Sequence, residues 1–358
     1  MERQKSLALL GRICLFGLIT MVVMVPRFAP AAEKAIELKF ADFLVESTWG
    51  PQKAFLPWQR SVEAATNNRV KITHYGAQTL CKGFDAWEAT KTGIADIAFA
   101  VHGYWGGKFP VSDVMALPVP PISTSRAASG IMWQLFQKFP EVADEYKEVK
   151  VLTFLLAGPY TLYTTDKVGE LRTVKDFAGK KIRSLAGPGT DFFKAMNANC
   201  VLMPTGDVTS ALQKGILDAV LLPRECIQTF KLGEMCKYMN YLPFFYGHMS
   251  IVMNLSKWNS LPPDIQEAIM SVSGLAGSEL MGKRFYDDSY EGLVVPEMDR
   301  LAKTGRKIVI YTPTENELNG LSEVAKPIWQ GWLGKMKARG VNGQAILDEI
   351  TEIAKTYQ

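Results

Sequence analysis

The chain has 358 residues and a formal charge of +4, from 40 basic and 36 acidic side chains, too small a surplus for a protein of this size that binds nucleic acid through its phosphates. With 47% hydrophobic, 21% charged and 11% aromatic residues, the composition is that of a globular protein with a large core. It excludes disordered, collagen-like and disulfide-scaffold classes, and the length predicts about two domains.

Residues 1–31 read as an export signal. Arg3, Lys5, Arg12 and Arg27 stand against one acid, Glu2, so most of the positive surplus lies here, and the remaining 327 residues are nearly neutral. The basic start is followed by the apolar run Ile13–Val25 and then by the small residues Ala29, Ala31 and Ala32. That run is shorter than the ~20 residues needed to span a bilayer, so the segment is expected to be cleaved and the mature protein to be periplasmic. Cys14 leaves with it. Cys81, Cys200, Cys226 and Cys236 remain; an oxidising compartment permits two disulfides among them in any of three pairings. No Cys-x-x-Cys motif suggests zinc or redox chemistry.

From residue 36 strands and helices alternate. Ile36–Phe43 and Val70–Tyr75 read as strands, and between them Pro51 opens a helix whose Phe55, Trp58 and Val62 form one apolar face. A helix at about 84–92 leads to the strand Ala95–Val101. A helical stretch around 123–146 leads to the apolar strand Val149–Leu156. The pattern restarts near Asp176: Lys181–Arg183 is a strand, a helix carrying Phe192, Phe193 and Met196 follows Gly187-Pro188-Gly189, and Asn199–Met203 is the next strand. Thr205 caps a helix through Val208, Leu212 and Ile216 before the short strand Asp218–Leu222. Strands joined by helices imply parallel pairing. Two such α/β units in series imply two lobes with a ligand cleft at the carboxyl ends of the strands.

After Pro263 a helical pattern runs close to forty residues if Gly274 and Gly282 do not break it, long enough to brace both lobes. A strand Lys307–Tyr311 and amphipathic helices at about 315–338 and 343–357 complete the chain. The expected division is 1–31 as signal, 32–158 plus about 249–290 as the first lobe, and 159–248 plus about 291–358 as the second.

Enzyme motifs are nearly absent. His74, His102 and His248 show no metalloprotease spacing, and neither a Gly-x-Ser-x-Gly elbow nor a phosphate loop is present. Arg183 is the most informative charge. It ends an apolar strand directly before Gly187-Pro188-Gly189, where its planar fork would grip a carboxylate in a cleft; on spacing alone, a solvated cluster with Lys180 and Lys181 explains it as well. Arg224-Glu225 ends another strand. Tyr104, Tyr160 and His248 stand at strand ends or bends, and Trp49 and Phe245 join them as candidate cleft residues.

Together the segments Lys175–Arg183, Met203–Ala219 and Asn254–Gln266, with Phe109-Pro110, Leu117-Pro118 and Phe230–Glu234, resemble the extracytoplasmic solute receptor of tripartite ATP-independent periplasmic (TRAP) transporters, across essentially the whole mature chain. The resemblance implies an α/β, two-lobed type II periplasmic binding protein fold, with a long helix spanning both lobes, that closes on an organic acid without turnover. It implies that Arg183 holds the ligand carboxylate, that Pro204 and Thr205 line the cleft, and that Pro223-Arg224-Glu225 contributes contacts. Partners would be a small and a large membrane subunit. No cofactor is implied, and the question of a cation beside the carboxylate stays open. Sugar-acid receptors of this kind carry a second arginine near Tyr160 and an asparagine at Leu222, so a less polar monocarboxylate with an apolar or aromatic body is expected here. Two alternatives stand beside this reading: the receptor of an ATP-driven importer, and an exported enzyme using Glu225 and His248.

Overall fold

The computed structural model describes residues 34–118, 120–158, 160–241 and 246–358. The signal segment, Pro159 and Phe245 lie outside the described residues. Four strands open the chain, β1 (Ile36–Ala41), β2 (Val70–Tyr75), β3 (Ile97–Val101) and β4 (Val149–Ala157); six follow, β5 (Thr161–Thr165), β6 (Lys181–Ser184), β7 (Asn199–Leu202), β8 (Ala219–Leu222), β9 (Cys236–Asn240) and β10 (Gly247–Asn254). The last, β11, is Val309–Tyr311.

They form two mixed sheets, in the orders β2-β1-β3-β10-β4 and β11-β9-β5-β8-β6-β7. Helical connections give parallel pairs where the sequence pattern predicts them, as in β1 with β2 and β6 with β7. Two strands run against that pattern. β10 is antiparallel between β3 and β4, and β5 is antiparallel between β8 and β9. The chain therefore crosses from the first sheet to the second between β4 and β5 and returns between β9 and β10. These crossings correct the expected division at one point: Gly247 and His248 belong to the first sheet, because β10 is buried along its full length as a central strand. A second correction concerns the final helix, Gly343–Lys355, expected with the second lobe. Its Ile346, Ile350 and Ile353 pack with Trp133 and Val149 of the first.

The long helical segment spans both halves in broken form. Pro263–Ser271 ends at Val272, and Gly274, at φ +63°, turns the chain into Gly274–Gly282; only glycine takes that conformation without strain. Gly282 does not interrupt the helix. It lies against the helix Ser125–Lys138 so closely that a Cβ would stand 2.4 Å from the Ser125 carbonyl oxygen. Two π-helical turns follow, Lys283–Asp287 and Tyr290–Val294, before Val295–Lys303. Phe285 and Tyr286 pack in the core that joins the two sheets, while Val294 and Leu301 pack under the second.

All four cysteines outside the leader are free thiols. Cys226 and Cys236 are buried in the apolar core of the second sheet, and none of the disulfides that the compartment permits is formed.

Candidate functional site

The carboxyl ends of β3 and β6 face each other, and the turns that follow them touch. The Ala186 amide donates to the Gly103 carbonyl at 3.1 Å, and a Cβ on Gly103 would lie 2.6 Å from that of Leu185. Beside this contact the Tyr104 hydroxyl lies 3.0 Å from Thr205 Oγ1 and accepts from the Thr205 amide at 3.3 Å. The two halves are thus seen in contact.

Behind these contacts is a small cavity of about 40 Å³. From the first sheet and the turn after β1, Phe99, Val101, Met249 and Phe43 wall it; from the second sheet and its connecting turns, Leu222, Leu185 and Phe230; from the bridging helix, Phe285 and Tyr286. Its polar wall is formed by Arg183, Thr205, Glu225 and Tyr160.

Arg183 is 0% exposed. Its Nη2 donates to Thr205 Oγ1 at 2.8 Å and to the Met203 carbonyl at 3.2 Å, Nε donates to that same carbonyl at 3.3 Å, and Nη1 makes a long 3.4 Å contact with the Leu221 carbonyl. Neutral oxygens orient the fork, but no carboxylate of the described residues lies within ion-pair distance. A buried cation without a counter-ion costs several kcal/mol of desolvation. The site therefore holds positive charge ready for an anion brought from outside.

Glu225 shares the cavity and is also buried. Oε1 accepts from the Cys226 thiol at 3.4 Å, and Oε2 has no hydrogen-bond partner. Burial pushes its carboxyl up to about 7. Tyr160, at the crossing between the sheets, packs where Gly247 leaves room: a Cβ there would stand 1.8 Å from the tyrosine hydroxyl. Burial raises the Tyr160 phenol well above its ordinary range, so it stays protonated.

Other candidates lie elsewhere. Trp49 is outside the cavity: its indole donates to the carbonyls of Arg284 and Phe285, at 3.1 and 3.0 Å, backbone groups within a π-helical turn. Arg224 turns away from Glu225 to lie over the rings of Tyr290 and Tyr241, 5.1 and 5.9 Å from their centroids. Pro204 precedes the Thr205 turn without lining the cavity. His248 belongs to a buried polar cluster inside the first lobe, where the Tyr146 hydroxyl is 3.3 Å from its Nε2 and 3.3 Å from Nδ1 of His102. Burial pushes His248 down to about 3, so it stays neutral, and no hydrogen bond joins it to Glu225. Phe43, Phe99 and Phe285, which the sequence reading did not single out, form the apolar wall; their places in ordinary core patterns gave no signal of it.

A larger groove of about 840 Å³, between Lys108, Glu141, Lys147 and Arg339, is an exterior surface of solvated charge. Its Lys108 and Glu148 already pair at 2.7 Å. Among the described residues, no group of three or more histidine, cysteine or acidic side chains could hold a metal ion.

Residues 43–335 match the profile of the bacterial extracellular solute-binding protein family 7, the DctP type. The chain belongs to this family. Over 316 residues it is 25% identical to the outer membrane transporter protein TsaT of Comamonas testosteroni, covering 85% of this chain and 89% of that one. A monocarboxylate 2-oxoacid-binding periplasmic protein of a Nostoc strain is 25% identical over 262 residues, 71% of this chain and 68% of its own. Among solved structures, a TRAP solute-binding protein of Rhodoferax ferrireducens in complex with copurified benzoate superposes with a TM-score of 0.81 at 25% identity, over 90% of this chain and 98% of that one. A TRAP protein from an unidentified marine microbe, specific for aromatic acids and in complex with 3-hydroxybenzoate, gives 0.82 at 25% identity, over 91% and 100%. As a DctP-family protein, the chain is a non-enzymatic receptor that takes a small solute to TRAP membrane subunits. No helix among the described residues is long and apolar enough to cross a membrane.

Proposed function

We propose that this receptor captures a small monocarboxylate with an apolar or aromatic body, binding it through Arg183 and delivering it to a small and a large membrane subunit. One observation carries the reading: a fully buried guanidinium, held in place by neutral oxygens and lacking a carboxylate, in a cavity walled otherwise by Phe43, Phe99, Leu222 and Phe285. A carboxylate of the ligand supplies the missing charge in two parallel hydrogen bonds, and aromatic walls accept a body with little polarity. Leu222 and Tyr160 stand where a more hydroxylated ligand would need hydrogen-bonding groups. The acids named for the Nostoc, Rhodoferax and marine relatives agree with this class.

The cavity has room for a few water molecules only, so the acid enters when the lobes part at their crossings, and its bonds favour the closed state. Residues 1–31 would direct export to the periplasm and be removed there. Native mass spectrometry of the purified protein, followed by calorimetry with mono- and dicarboxylates, tests the assignment. A bound or preferred monocarboxylic acid is expected. Binding confined to dicarboxylates or to uncharged solutes would overturn it.

A further inference from the structure

The cavity holds a second buried group whose bonding capacity the protein leaves unused. Glu225 follows Pro223 and Arg224 in the turn after β8, is buried with Oε2 unpartnered, and lines the same cavity as Arg183. Neither nearby cation pairs with it: Arg183 forms no ion pair with it, and Arg224 lies over the faces of Tyr290 and Tyr241 and acts on it only through space. The thiol of Cys226, its one hydrogen-bond donor from a neighbouring side chain, is weak. A buried carboxyl oxygen left without a hydrogen-bond partner is costly, and the cost is recovered when a ligand brings one.

Resting on the monocarboxylate reading, we propose that Glu225 is a specificity-determining hydrogen-bonding group, so that the receptor selects a hydroxylated monocarboxylate whose hydroxyl bonds to Glu225 Oε2 while its carboxylate lies on Arg183. A hydroxyl fits better than an ammonium. A hydroxyl both donates and accepts, so it pairs with Oε2 in either protonation state of the carboxyl, whereas an ammonium only donates. The acid lacking the hydroxyl leaves Glu225 unpartnered in the complex, and sites built around such a bond discriminate strongly against the deoxy analogue.

The test is calorimetry on the purified protein with two series: 3-hydroxybenzoate, 3-(aminomethyl)benzoate and benzoate, and mandelate, phenylglycine and phenylacetate. In at least one series the hydroxylated acid is expected to bind at least tenfold more tightly than its parent and its amino analogue. In Glu225→Leu the ratio of hydroxylated to parent affinity is expected to fall to within about threefold of unity. Glu225→Gln, which keeps the size and an acceptor oxygen, should retain part of the preference, and circular dichroism and melting curves establish that both variants fold. Persistence of the full preference in Glu225→Leu, or a wild type that prefers the parent acid in both series, overturns the role of Glu225 and leaves the carboxylate reading intact. A wild type that binds no acid of either series overturns the carboxylate reading, and this proposal with it.

Discussion

Replacing Arg183 by Met separates binding from folding. In the ligand-free protein the substitution strips partners from the Met203 and Leu221 carbonyls, each worth about 1–3 kcal/mol if left buried and unpaired, while Thr205 Oγ1 keeps the Tyr104 hydroxyl. Against that loss stands the release of a guanidinium that is 0% exposed and has no counter-ion, a desolvation cost of several kcal/mol. The two nearly offset, so the melting temperature of the free protein should move by only a few degrees. Binding has no such offset. The ligand carboxylate would enter a buried apolar site with its charge unmet, which costs about 2–5 kcal/mol, roughly 30-fold to several-thousandfold in Kd. Arg183→Lys, which keeps the charge and loses the planar fork, should fall between. Isothermal calorimetry with the acid that copurifies, alongside thermal denaturation without it, reads both quantities. An unchanged Kd in Arg183→Met would refute the anchor, and so would a collapse in stability large enough to account for the lost binding.

Three further outcomes follow from the packing and the charges. Because burial holds Glu225 protonated up to about pH 7, the native state keeps a proton that the unfolded chain releases near pH 4.5. Its contribution is complete below that lower value and is lost as pH rises towards 7. Glu225→Gln should therefore be more stable than wild type at pH 8, by on the order of 3 kcal/mol, and show little difference at pH 4; urea denaturation giving the same difference at both pH values would contradict this. Gly103→Val puts a branched side chain at a point where even a Cβ would stand 2.6 Å from that of Leu185, wedging the two lobes apart. Ligand affinity should drop tenfold or more and the solution radius of gyration should increase, whereas an unchanged radius with full affinity would show that the contact is dispensable. Gly282→Val drives a side chain into the Ser125 backbone and should cost about 1–3 kcal/mol or more in urea, with the loss seen in the absence of any ligand.

The parts of this fold visible in the sequence were those with a period. Phe55, Trp58 and Val62 announced their helix and are buried together, and the strand Val70–Tyr75 matched its predicted limits. β5, β9 and β10 did not announce themselves. β10 is buried on both faces and so lacks alternation, and β5 and β9 owe their pairing to each other across more than seventy residues rather than to any local signal. In the site, Arg183 stood out because a charge ended an apolar strand. Arg224 and Trp49 attracted attention by residue type, yet each has a partner that local sequence does not reveal: the rings of Tyr290 and Tyr241 for one, the carbonyls of a π-helical turn for the other. His248 likewise resembled a ligand donor until β10 carried it into a core with Tyr146.

The two chain crossings have a consequence for the order in which the protein forms. Five of the six strands of the second sheet are contiguous between Thr161 and Asn240, so that half is an insertion within the other. A chain emerging amino end first presents β1 to β4 long before β10, the strand that lies between β3 and β4 and joins them. Until Asn254 emerges, both have an unsatisfied edge, and the half that begins first finishes last. Such open edges invite wrong pairings, and a chaperone that holds the early segment extended would act on this interval.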